Sequence, residues 1–372
     1  MKRYNWQQTN WPNFTYDLNQ IEDELFLFAE KTGHVTGVLK GLPEEIRTEA
    51  IIDNMVAEAI KTSEIEGEFL SHRDVMSSIR NNLGLNKKND VVTDKMAAGA
   101  GELMVDVRNT FKEDLTVEKL FSWHKMLLGS DRKVITGAWR THHEPMQVVS
   151  GAMGKEKVHY EAPPSSGVPQ EMEKYITWFN KTAPGGKQEI KKAPVRAAIA
   201  HLYFESIHPF EDGNGRIGRA LAEKALSQGT GRPVLLSLSR TIEANKKAYY
   251  EALEKAQRGN EITAWIKYFV NVTIDAQTFA EEQIDFTLRK TTFFGRFKNQ
   301  LNDRQLKVVK RMLEEGPKGF NGGINAGKYI SIAKTSKASA TRDLQDLLEK
   351  GILILLGEGG GRSTKYQVNL DF

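Results

Sequence analysis

The stretch His208-Pro209-Phe210-Glu211-Asp212-Gly213-Asn214-Gly215-Arg216-Ile217-Gly218-Arg219 gathers a histidine, acidic groups, three glycines and two arginines into twelve residues. Pro194 to Ser206, before it, shows apolar residues at helical spacing (Val195, Ala198, Ile199, Leu202, Tyr203), and Ile217 to Leu226, after it, reads as another helix. The arrangement is helix, glycine-rich loop, helix. Glycine accepts positive φ and leaves no Cβ in the way, so Gly213-Asn214-Gly215 can turn backbone N–H groups toward an anion. A helix that opens directly afterwards adds its first N–H groups and its dipole. Arg216 and Arg219, three apart, share a helix face and carry the head group best shaped for phosphate. These parts predict a polyphosphate site, without the Gly-Lys-Ser/Thr ending of a Walker loop. Phosphoryl or nucleotidyl transfer there needs a metal carboxylate and a base. Asp212 and His208 are the candidates.

Upstream and downstream, helical spacing dominates the 372 residues. Ile21 to Phe28 begins one helix. Pro43 followed by Glu44 and Glu45 starts another, which runs toward Thr62-Ser63-Glu64-Ile65-Glu66-Gly67-Glu68. Further helical runs cover about Val91–Lys112, Val117–Leu128, Glu171–Asn180, Arg240–Ala256 and Ile262–Phe279. Between Gly129 and Gly167, Gln147-Val148-Val149 and Lys157-Val158-His159-Tyr160 read as a short hairpin closed off by Pro163-Pro164. From Leu301 the pattern changes. A helix to Glu314, a helix-turn-helix pair (Ser331–Ala338 and Ser339–Lys350) and two short strands around a glycine turn suggest a winged-helix-like domain.

Apolar residues make up 40% of the chain, enough for a substantial core, and no run approaches the roughly 18 residues of a membrane span. There is no cysteine, which excludes disulfides, thiolate catalysis and cysteine metal sites and fits a reducing compartment. The N-terminus shows no apolar signal region, so the expectation is a soluble cytoplasmic protein. The 52 basic and 48 acidic residues leave +4, and that excess falls after Leu301, where 12 Lys/Arg meet 8 Asp/Glu.

The opening stretch resembles the signature of the Fic family, His-Pro-Phe-x-Asp/Asn-Gly-Asn-Gly-Arg-x-x-Arg, at every fixed position. The resemblance implies a mainly α fold: an all-helical Fic core with a short β-hairpin flap, followed here by the winged-helix-like segment. The expected division is 1–90 (with an inhibitory helix at about 45–68), 91–285 and 286–372. It implies transfer of AMP from ATP to a Ser, Thr or Tyr hydroxyl of a protein. His208 would be the base, Asp212 would hold Mg²⁺, and Gly213 to Gly215 would cradle phosphates. Asn214 and Arg216 would bind phosphate and Arg219 the γ-phosphate, with Ile217 and Gly218 completing the turn between them.

Val158, His159, Tyr160 and Glu161 fit the family's target-docking flap. Tyr250 and Gln257, with Asn245, fit the adenine pocket. Thr62 through Glu66 and Gly67 resemble the family's inhibitory motif Ser/Thr-x-x-x-Glu-Gly/Asn, in which Glu66 would pair with Arg219. The resemblance also admits self-modification, homodimers, AMP removal, and transfer of phosphate, phosphocholine or UMP. A reading from another class is a DNA-binding regulator. In it Ser339, Thr341, Arg342 and Gln345 face a groove, Arg362 or Lys365 touches phosphate, and Asp343, Asp346 and Glu349 dilute the basic face.

Overall fold

The computed structural model describes residues 3–129, 134–150, 157–357 and 364–371. Among these the chain is mainly helical. Its first helices are α1 (Glu22–Gly41), α2 (Glu44–Ile65), α3 (His72–Asn82), α4 (Lys95–Asn109) and α5 (Val117–Leu128). An antiparallel pair follows, β1 (Gln147–Ser150) with β2 (Lys157–Glu161), with a register shift between Val148 and Val149. Then come α6 (Val168–Lys181), α7 (Ala193–Ile207), α8 (Asn214–Thr230), α9 (Leu238–Ala244), α10 (Lys246–Ala256) and α11 (Thr263–Phe297). The last elements are α12 (Asp303–Leu313), α13 (Ala326–Ala333), α14 (Lys337–Glu349), β3 (Leu353–Leu355) and β4 (Tyr366–Val368).

Side chains fix many of the helix starts. Asp94 caps α4 through the N–H groups of Met96 and Ala97, and Thr116 caps α5 through that of Lys119. None of the described helices is long and apolar enough to cross a membrane.

Two compact units result, 1–38 with 51–280 and 39–50 with 281–372. Residues 1–38 pack with residues 51–280 in the first of these units.

In the first unit every residue of α7 is buried. The sequence reading gave α7 one apolar face. Its alanines instead let neighbours approach on all sides, and α8 packs along it most extensively. Such burial requires its polar groups to find partners. Arg196 donates to Thr182 Oγ1 (3.1 Å), Phe179 O (2.7 Å) and Ala225 O (3.3 Å). Burial pulls its guanidinium down to about 10. Lys224 of α8 donates to Thr110 O at 2.7 Å and Phe111 O at 3.1 Å.

The second unit has its own apolar cluster, including Val308, Met312, Tyr329, Leu344, Leu347 and Ile352. Its helix-helix-helix-hairpin order is as read. The middle helix, however, lies five residues earlier than read, because Asn325 caps it through Lys328 N (2.9 Å) and Lys334 ends it at φ +51°. Asp343 is buried. It accepts from Arg304 Nε (2.8 Å) and Tyr329 Oη (3.0 Å), so it does not dilute the outer face of α14. Arg362 lies outside the described residues.

Glu223 of α8 tests the first unit's interior. Burial and then the nearby Glu58 push its carboxyl up to about 8, with Arg108 opposing. Its folded-state value lies above its unfolded one. The stability it contributes is therefore present at low pH and lost as pH rises from about 4.5 toward 8. Glu223→Gln is expected to leave the melting temperature nearly unchanged at pH 5 and to raise it by roughly 2–4 °C at pH 8.5. Thermal unfolding at the two pH values checks this.

Candidate functional site

The site forms where α7 ends and α8 begins. His208 closes α7 in the left-handed region, at φ 50° and ψ 61°, and its N–H bonds to Phe204 O at 2.9 Å. A non-glycine residue there costs on the order of 1 kcal/mol, so its neighbours must hold it. Arg140 supplies that restraint. Almost fully buried, it donates through Nε to His208 O (2.7 Å) and through Nη2 to Pro163 O (2.6 Å) and Ile207 O (3.3 Å). Its Nη1 donates to Ser165 Oγ at 2.8 Å, and its backbone N–H to Pro209 O at 2.9 Å. Burial lowers this guanidinium to about 10.

Phe210 anchors the loop. It is buried, stacked on His124 at 4.0 Å between centroids, with Trp139 at 5.0 Å. His124 accepts at Nδ1 from Gly137 N (2.8 Å), so its Nε2 is the donor to Asp212 O (3.1 Å). Burial holds this imidazole below its usual value, consistent with a neutral ring.

The His208 side chain points back at α7. Its Nδ1 lies 3.5 Å from Glu205 Oε2, and the carboxylate is almost fully buried. Burial alone would raise the Glu205 carboxyl, but the contact with His208 outweighs it and holds the group below the usual range. The acid lies on the Nδ1 side of the ring, where Nδ1 itself makes no hydrogen bond among the described residues.

The loop itself reads differently at Asn214. Its side-chain amide is buried and used internally, accepting from Phe210 N (2.9 Å) and donating to Phe210 O (2.8 Å). In this structure that amide clamps the turn. Ile217 is wholly buried and offers only backbone, and Gly218 packs against Glu205 and His201. The first N–H groups of α8, ahead of Ile217 N bonding to Gly213 O (3.1 Å), are the unpaired donors of a helix start. Beside them, Arg216 Nε is buried with no hydrogen-bond partner. Asp212 sits at the mouth, 42% exposed, with Oδ1 accepting from Gly213 N at 2.6 Å and lying 3.4 Å from Arg216 Nη2.

The C-terminal end of α2 lies on this turn. Arg219, 2% exposed, donates through Nε to Thr62 Oγ1 (2.7 Å) and through Nη2 to Thr62 O (2.9 Å) and Glu66 Oε1 (2.8 Å). Burial would lower this guanidinium, but Glu66, then Tyr249, hold it above its ordinary value. A Cβ at Gly215 would lie 2.3 Å from Glu66 Oε1, so only glycine admits the carboxylate here. Glu58, one helical stretch earlier and buried, fastens α2 by accepting from Ser237 Oγ (2.8 Å) and Ser239 N (2.9 Å). Lys246 donates to Ile65 O.

The remaining expected site residues separate. Tyr250 is 38% exposed, and burial, then Glu66, raises its hydroxyl to about 12. Gln257 is buried: it donates to Glu205 O at 3.3 Å, and its main-chain carbonyl accepts from Asn5 N at 2.8 Å. Asn245 caps α10. In the hairpin, Tyr160 is buried too, edge-on to Tyr4 and donating to Ser206 O at 2.6 Å, so its side chain anchors β2 and cannot meet a target. His159 Nδ1 lies 2.7 Å from Glu254, and Glu161 accepts from Gln147 at 2.8 Å. Val158 is half-buried opposite Val149.

Sequence reasoning missed Arg140, His124 and Glu205. Only Glu205, three residues before His208, carried a local signal.

Together these features define a helical domain whose loop-to-helix turn carries two buried arginines paired with carboxylates. Residues 4–85 match a domain of unknown function (DUF4172), and residues 114–226 match the Fic/DOC family. The chain is 28% identical over 199 residues to Protein adenylyltransferase Fic of Nematostella vectensis, covering 53% of this chain and 40% of that one. It is 26% identical over 213 residues to the protein of that name in Culex quinquefasciatus, covering 56% and 38%. The match thus spans about two fifths of these relatives' length. A Fic family protein from Desulfovibrio desulfuricans G20 superposes with a TM-score of 0.54 at 19% identity, covering 96% of this chain and 98% of that one. The chain thus carries a segment, residues 114–226, that is similar to the Fic/DOC family, and its fold is similar to that of a Fic family protein.

Arg140→Met strands several buried acceptors at once, each worth about 1–3 kcal/mol when unpaired. It is expected to lower unfolding stability by roughly 3 kcal/mol or more in a denaturant titration. Arg140→Lys is expected to recover little, because one ammonium cannot replace the planar fork.

Proposed function

We propose that this chain is a self-inhibited protein adenylyltransferase that moves AMP from ATP to a Ser, Thr or Tyr hydroxyl of a protein. The observation that carries this reading is the pairing of His208 with an anion-binding turn whose Arg219 is occupied by Glu66 at 2.8 Å. His208 Nε2 takes the hydroxyl proton, and the oxygen attacks the α-phosphorus in line. The α–β phosphoanhydride bond then breaks and pyrophosphate leaves with its electron pair. The N–H groups opening α8 and the buried Arg216 Nε supply donors where charge builds.

No cluster of three metal-type ligands occurs among the described residues. The single exposed carboxylate of Asp212 at the mouth fits an ion that takes one or two carboxylates and fills its remaining positions with phosphate oxygens and water. Mg²⁺ held there would neutralise phosphate charge. The β2 strand of the hairpin, at the half-buried Val158 and His159, is the proposed dock for the target's backbone, which would have to displace the bond from Arg258 Nη2 to His159 O (2.8 Å).

Glu66 acts as the brake. Its carboxylate takes the guanidinium that the γ-phosphate requires, so ATP seats out of line. Glu66→Gly is expected to raise incorporation of label from α-labelled ATP at least tenfold, into the protein itself or an added target, and His208→Ala to abolish it. Equal labelling by wild type and Glu66→Gly would sink the brake. The mass added to the acceptor separates AMP from phosphate, phosphocholine or UMP, and loss of mass from a pre-modified target would reveal AMP removal.

A second reading concerns the second unit alone. With Asp343 turned inward, the outer face of α14 presents Lys337, Thr341, Arg342 and Gln345, as a groove-reading helix would. Binding to duplex DNA that weakens steeply with salt is the expected result. Absence of binding at low salt would exclude it.

A further inference from the structure

The brake motif ends at Gly67, yet the next residue also reaches the site. Gly67 adopts φ +82°, which ends α2 and turns the chain. Glu66 N and Glu68 N both bond to Ser63 O, at 3.0 and 2.9 Å, and Gly67 N bonds to Glu64 O at 3.0 Å. This compact cap sends two carboxylates, two residues apart, toward the same turn of α8. Glu66 meets Arg219. Glu68 Oε2 meets Arg216 Nη1 at 2.5 Å, against a guanidinium that is 2% exposed. Arg216 and Arg219, one helical turn apart, are thus each neutralised by their own acid.

The two pairs differ in what they obstruct. Arg216 belongs to the loop end of the site. It lies 3.4 Å from Asp212 Oδ1, and its Nε is the buried donor without a partner. Arg219 lies one turn deeper. A nucleoside diphosphate whose phosphates occupy the turn would call on Arg216, and only a third phosphate would call on Arg219. Withdrawing Glu66 therefore leaves the nearer arginine still engaged by a charge-assisted bond.

We infer that Glu68 is an affinity-setting residue of the nucleotide site. It is a second carboxylate that competes with the inner phosphates for Arg216 and sets nucleotide affinity independently of Glu66. This inference rests on reading the turn as a nucleotide site. It predicts a division of labour between two acids: Glu68 lowers affinity for both di- and triphosphate, whereas Glu66 discriminates against the triphosphate.

The test is calorimetric titration of ADP and ATP, with Mg²⁺, into the full chain carrying His208→Ala, so that no turnover intervenes. Glu68→Gln is expected to tighten both nucleotides by about tenfold. Glu66→Gly is expected to tighten ATP while leaving ADP within about twofold, and the double variant to combine the two effects. Glu68→Asp, which keeps the charge but shortens the reach, should fall between wild type and Glu68→Gln. It also provides a second folded variant should the amide perturb the connection. Unchanged or weaker ADP binding in both Glu68 variants overturns the inference and assigns Glu68 to holding the loop together. If no variant binds either nucleotide, the nucleotide reading falls, and this inference with it.

Discussion

A fully buried guanidinium governs this site. Arg219 has no water to solvate it, so its charge must be met by protein groups, and they come from Thr62 and Glu66 on α2. An arginine left unpaired at this depth would be costly, so some anion must always stand beside it. In the resting fold that anion is a side chain. In the proposed working state it is a phosphate. The alternation follows from burial, because the site cannot be empty and stable at once.

The same logic explains the neighbouring backbone. His208 is held in a left-handed conformation by Arg140, which collects carbonyls from Ile207, His208 and Pro163 and so ties the end of α7 to the segment after the hairpin. Phe210 and His124 fix the far side of the turn by stacking and by one bond to Asp212 O. What reaches the open side of the turn is thin: a few helix-opening N–H groups, two arginines and one imidazole. A larger set of buried polar side chains keeps these in register.

The legible part of the site was the part contiguous in sequence. Twelve residues from His208 to Arg219 carried base, turn and arginines together, and their order alone implied a loop opening a helix. Helical spacing likewise gave most helices to within a few residues, and β-type residues around a glycine-rich gap gave the hairpin. What the sequence left unread has physical causes. Asn214 has an amide equally suited to a ligand or to its own loop, and only the fold decides. Gln257 and Tyr160 lie on elements whose periodicity shows that one face is buried but not which one. Arg140 and His124 act through backbone carbonyls distant in sequence, which leave no pattern to read. Glu68 stood one residue beyond a recognisable motif, and its role depends on the turn that Gly67 makes possible.

Glu66 is covalently part of the molecule it would restrain. The end of α2 is fastened through Glu58 to the start of α9 and through Lys246 to α10, so the carboxylate is presented at close range. A tethered group of this kind behaves as a ligand at a fixed effective concentration, on the order of millimolar even for a flexible tether. Under the proposed reading, ATP competes with a local concentration that neither dilution nor expression level alters. Restraint of this kind is a property of each molecule alone, and lifting it requires loosening the tether.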